Sequence, residues 1–198
     1  MKIKHMLVSA AVLALAACGQ GGETDTAATD NNMAMDNMAT TDNMAAPADA
    51  AVPATGQEYA TMAAASDMYE IEAARLAADK AQNADVKSLA EMIQTDHEKS
   101  TADLKTAAGQ AQPPITVTAA MNPEQQSMIQ QLQGASGADF DRTWLDQQVQ
   151  AHQKALAMVQ GFAQNGDMES LKKHASTVAG PIQQHLQRAQ ELQTSAAR

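Results

Sequence analysis

From residue 55 onward, apolar side chains recur every three or four positions along four long stretches of the chain. That period does most to limit what the chain can become. It gathers the apolar residues on one side of a helix, whereas a strand would alternate them between two faces. The second stretch is the clearest case, with Val86, Leu89, Ile93, Ser100 and Leu104 on one stripe. The first carries Met62, Ala65, Tyr69 and Leu76, the third Leu145, Val149, Leu156 and Val159, and the fourth Leu171, Ala175, Val178, Ile182 and Leu186. Aromatic residues are only 3% of the chain, so its core must come from Leu, Ile, Val, Met and Ala. Such a core suits packed helices and is poor for a β-sandwich.

Local signals set the ends of these elements. Thr55 with Glu58 forms a capping box for a first helix reaching about Gln82, and Asn83 caps a second that fades at Gly109. The paired Pro113 and Pro114 then force extended backbone. Asn122, Pro123 and Gln125 open a short helix ending near Gly134. A third long helix begins within Ser136 to Arg142 and runs to about Gln164. Asn165 to Asp167 make a turn into the fourth, where Pro181 predicts a kink. Short links make two antiparallel hairpins. A long crossover containing a short helix joins helices 2 and 3, as in a ferritin-like four-helix bundle. The expected class is therefore all-α, with the bundle over residues 55–198.

The first residues, "MKIKHMLVSAAVLALAACGQGG", combine Lys2 and Lys4 with an apolar run from Met6 to Ala17. That run is too short to span a hydrocarbon core of about 30 Å. "LAAC" resembles the bacterial lipobox, so residues 1–18 are expected to be a lipoprotein signal with Cys18 lipidated. Cys18 is the sole cysteine of the chain, which excludes a disulfide within it. By resemblance to sorted lipoproteins, Gly19 rather than Asp after the cysteine implies the outer membrane, with the domain on the periplasmic face. Residues 19–54, rich in Asp, Asn, Ala and Met, read as a disordered tether with a reach of roughly 30–36 Å. Its "DNMA" repeats with Met33, Met35, Met38 and Met44 are read as repeat slippage.

The formal charge is −10, and losing Lys2 and Lys4 with the leader makes it −12. So acidic a chain repels phosphate backbones and anionic headgroups, which argues against nucleic acid. The membrane contact is then the N-terminal lipid alone.

Each helix also aims a polar, metal-competent side chain inward. Periodicity puts Glu72 near the centre of the first stripe and points Glu70 away. It puts His97 in the middle of the second stripe, with Asp96 beside it. His152 lies within the third, with Asp141 near its start, and His174 and His185 flank the fourth. Burying such groups without partners is costly. Either they converge on a divalent metal (Fe, Mn or Zn), or each is a neutral core histidine bonded across the bundle, with no metal. The residues three before the histidines are Gln94, Val149, Leu171 and Ile182, so the Glu-x-x-His pattern of diiron bundles is absent. Counting from the turns puts Glu72 and His97 roughly 4.5 Å off level, within reach of each other. The same count puts His152 and His185 roughly 10 Å apart, too far to share an ion, and His174 nearer to His152 at about 6 Å. Phe140 and Trp144 are expected to anchor the crossover, and Arg142 to brace it or pair with Asp139 or Asp141.

"SDMYEIEAARLA", "VKSLAEMIQTDH", "FDRTWLDQQVQAH" and "PIQQHL" occur in that order. Over about residues 57–192 the chain resembles the bacterial family DUF4142, a domain of unknown function placed among ferritin-like folds and common in envelope proteins. The resemblance implies weight on Glu70, Asp96, His97, Phe140, Asp141, Arg142, His152 and His185, with Glu70 where periodicity favours Glu72. It implies no activity. With no phosphate loop or nucleophile elbow, the expected role is a non-catalytic envelope or stress-associated binding module. The alternative is a divalent-metal protein with ferritin-like oxidase or peroxide chemistry.

Overall fold

The computed structural model describes residues 51–196. The expected leader, Cys18 and the tether up to residue 50 lie outside the described residues. Five α-helices and no strands occur among those described: α1 Gly56–Lys80, α2 Ala84–Gly109, α3 Pro123–Gly134, α4 Gly137–Asn165 and α5 Glu169–Ala196. None of them is long and apolar enough to cross a membrane.

The helix starts follow from their caps. The Glu58 amide donates to Thr55 Oγ1, and the Thr55 amide donates back to Glu58 Oε2 at 3.1 Å. Asn83 accepts from the Asp85 amide, and Asn122 with Gln125 closes a second capping box behind Pro123. Two acids then tie the hairpin turns to the bundle. Asp141 accepts from the Gln82 and Asn83 amides in the α1–α2 turn, and Asp167 accepts from the Gly56 amide at 2.7 Å. Chain order begins before the first cap, because Pro53 is buried and a Cβ on Gly161 would lie 2.7 Å from the Val52 methyls.

α1 packs on α2 and α4 on α5, and the two hairpins meet through α2 with α5 and α1 with α4. The result is a helical bundle whose apolar core has two parts. One gathers Tyr69, Leu89, Ile93, Trp144, Leu145 and Leu192, and the other Tyr59, Leu104, Val159, Phe162, Leu171 and Ile182. Along α2 the polar His97 falls between Ile93 and Leu104, along α4 His152 lies between Leu145 and Val159, and along α5 His185 lies between Ile182 and Leu192. A buried polar layer therefore divides the core.

Trp144 is fully buried and donates from Nε1 to the Ala73 carbonyl at 3.0 Å, binding α4 to α1 as well as to the short α3. Phe140 is buried beside it, under the Lys80 ammonium at 5.3 Å. Lys80 also donates to the last carbonyls of α3, at Leu132 and Gln133. Arg142 is exposed and pairs with Asp139. α5 continues through Pro181 as one helix.

Candidate metal centre

The inner face of α1 differs from the one that large apolar residues suggest. Its buried stripe runs Ala60, Ala63, Asp67, Glu70, Ala74 and Ala77. Alanine marks a face weakly in sequence, but its small side chain brings neighbouring backbones close. Glu70 is buried at 1% exposure, whereas Glu72 is half-buried and joins none of the contacts below. The periodicity reading is thus corrected in favour of Glu70.

His97 meets Asp67 of α1, not Glu72. His97 Nδ1 lies 2.8 Å from Asp67 Oδ1, and Thr101 Oγ1 donates to the second carboxylate oxygen at 3.1 Å. Asp67 and His97 lie sixteen and fourteen residues from the turn at Asn83, nearly level, so the pairing follows from axial position. The large apolar stripe of the first helix does not mark Asp67 in the sequence, although Asp67 sits in phase with Ala63 and Ala74.

His152 and His185 come together. His152 Nε2 is 3.3 Å from His185 Nδ1, with ring centroids 5.3 Å apart. The expectation that they are out of level is corrected, and the reason lies in the turn. α4 continues to Asn165 and α5 begins only at Glu169. Counted from Asp167, the two histidines are about 4.5 Å off level, a gap that two side chains span. His174, expected nearer to His152, lies elsewhere. Its Nδ1 is 2.7 Å from the Tyr59 hydroxyl, and its Nε2 faces the Ser100 carbonyl at 3.2 Å.

His97, His152 and His185 form one cluster, with a ring nitrogen from each within 4.8 Å of the others. Each ring also has one nitrogen held by an oxygen that can only accept. His97 Nδ1 faces Asp67, His185 Nε2 faces Asp96 Oδ2 at 2.9 Å, and His152 Nδ1 faces the Gln148 carbonyl at 3.0 Å. Those nitrogens carry the protons. In the neutral rings the remaining ones, His97 Nε2, His152 Nε2 and His185 Nδ1, hold lone pairs inside the bundle. His97 Nε2 has no hydrogen-bond partner at all. Histidines that bind metals are held in this way, with the outer N–H donated to a carboxylate or carbonyl that fixes the tautomer. Asp141 is away at the α1–α2 turn.

Glu70 completes the layer. Its Oε1 lies 3.6 Å from His152 Nδ1, yet neither carboxyl oxygen nor the side-chain amide of Gln148 has a hydrogen-bond partner. Burial pushes the Glu70 carboxyl up to about 7, partly offset by the neighbouring His97 charge. Burial, with His97 and His185 adding like charge, holds His152 well below its ordinary value. Burial and His97 also lower His185, against the pull of Asp96. At His97 burial acts downward too, but the bond to Asp67 and the charges of Glu70, Asp67 and Asp96 outweigh it and raise the pKa. His97 is therefore the one ring of the three that favours a proton. A cation among the free nitrogens would replace that proton and give Glu70 a counter-charge, so the donor set fits a metal ion.

A family model described as a domain of unknown function, DUF4142, matches residues 26–192. The chain belongs to the DUF4142 family. Among solved structures, this DUF4142 chain is similar to CopM in its Ag-bound form, at 23% identity and a TM-score of 0.59, covering 71% of this chain and 96% of that one. CopM in the Cu(II)-bound form matches at 22% identity and a TM-score of 0.61, covering 71% and 97%. A DUF305 fragment from Deinococcus radiodurans matches at 14% identity and a TM-score of 0.62, covering 71% and 95%. These likenesses show a shared helical fold. No curated protein matches the sequence.

Proposed function

We propose that this chain is a non-catalytic metal-binding protein of the bacterial envelope, holding one copper ion between His97, His152 and His185. The observation that carries the reading is the set of three buried imidazoles, each with its outer nitrogen facing an oxygen and its inner nitrogen turned toward the other two rings. An all-imidazole set suits copper or zinc better than the iron or manganese of carboxylate-rich bundles, and copper(II) heads the affinity order of the divalent ions. Asp67 and Asp96 engage the outer nitrogens and so do not supply the carboxylate ligands that iron and manganese favour. CopM, a protein of the same fold, was solved in silver, Cu(I) and Cu(II) forms.

The ferritin-like arrangement and the lipid anchor at Cys18 belong to the same proposal. A bundle with a long connection between its two hairpins supports the first, and the lipobox-like "LAAC" supports the second. On this reading the domain stands on its tether at the periplasmic face of the outer membrane and buffers or passes on copper ions.

The test is metal analysis and titration of the chain purified without a histidine tag. Parent protein should retain close to one equivalent of copper after desalting, and His152→Ala should retain none. Less than about a tenth of an equivalent in the parent would sink the proposal, because a built site holds its ion tightly.

A further inference from the structure

A cleft of about 280 Å³ between α2 and α5 is lined by Asp96, His97, Lys99, Asp103, Thr177 and His185, among others. It includes two of the three rings of the centre, and His97 Nε2, buried and without a partner, belongs to one of them. Its carboxylates are Asp96 and Asp103. Asp96 keeps a carboxylate 39% exposed while bonding His185. Lys99, the one cation among the lining residues, is paired with Asp103 at 2.5 Å. A second cavity, of about 370 Å³ at α1, α3 and α4, is lined by Met62, Tyr69, Met128 and Lys154 and includes none of the three histidines.

We infer that the α2–α5 cleft is the route by which the ion reaches and leaves the histidine centre, with the Asp96 carboxylate receiving it from solvent. The inference rests on the metal reading. A hydrated copper ion exchanges its waters for the Asp96 carboxylate, then for the imidazole nitrogens. The passage is pure ligand exchange, and no electron is transferred.

Stopped-flow absorbance of the full chain with Cu(II) tests the route, using variants at exposed positions that are outside the centre. Thr177→Trp fills the mouth, Thr177→Lys places a cation there, and Gln150→Trp narrows the other cavity as a control. Thr177→Trp should slow association and dissociation together by about tenfold or more, leaving the equilibrium affinity within about twofold. Thr177→Lys should slow association by a factor that shrinks as salt rises. Gln150→Trp should change neither rate. Parent-like rates in Thr177→Trp, or a slowing confined to Gln150→Trp, would overturn the route while the metal reading stands. A parent that takes up no copper overturns the metal reading and the route with it.

Discussion

His152 Nε2 and His185 Nδ1 face each other at 3.3 Å although neither has a proton to offer the other. The protons of these rings are committed to the Gln148 carbonyl and to Asp96. Two lone pairs at that distance, with His97 Nε2 close by, are an arrangement that the proposed cation would complete. The carboxylates outside the rings therefore set how basic the inner nitrogens are.

Asp67→Asn and Asp96→Asn should each weaken copper binding by about 10- to 100-fold without abolishing it, because each removes charge behind a ligand and leaves the ligand in place. Competition titration against a chelator of known affinity measures the loss. Unchanged affinity in both variants would show that the outer oxygens have no part in the site.

Glu70 links stability to pH. Its folded-state pKa of about 7 lies above the ordinary 4.5, so between those values the unfolded chain is ionised while the folded chain keeps the proton. Unfolding then releases a proton, and stability falls as pH rises through that window. Glu70→Gln removes the effect. In urea unfolding of chelated protein, variant and parent should agree below about pH 4.5 and differ by up to about 3 kcal/mol above pH 7, with the variant more stable. Parallel profiles across the whole range would contradict a buried, unpartnered Glu70.

Tyr59 and His174 form a separate buried pair, 2.7 Å apart, with Tyr59 stacked on Phe162. Tyr59→Phe keeps the stack and leaves His174 Nδ1 without a donor, a loss of about 1–3 kcal/mol. Copper stoichiometry and affinity should stay at parent values. A fall in affinity would mean that the two histidine sites are coupled.

Asp141→Ala removes the acceptor shared by the Gln82 and Asn83 amides in the α1–α2 turn. Thermal unfolding should register a loss of about 1 kcal/mol, with copper binding unaffected. Loss of the ion would return Asp141 to the list of ligands.

Much of the fold is legible in local chemistry. Thr55 with Glu58, Asn83, and Asn122 with Gln125 announce helix starts because a cap acts within four residues of chain. His97 and His152 read as inward from periodicity, with His174 and His185 on the flank of their stripe, and all four are buried. Glu72 misled because the real inner face of α1 is alanine, which a hydrophobic stripe weighs too lightly. Resemblance to a family, not periodicity, drew attention to Glu70.

By itself, the sequence determined that the chain is helical, roughly where each helix begins and ends, and which histidines turn from water. Those properties depend on neighbours three or four residues away. The tertiary structure alone decided that Asp67 is the partner of His97 and that His152 meets His185 across the α4–α5 hairpin. Whether residues on different helices lie at one level depends on where the turn is centred and how closely the backbones approach. A shift of two residues in the centre of that turn moves the relative level of the two helices by about 6 Å, the difference between two separate histidines and one centre.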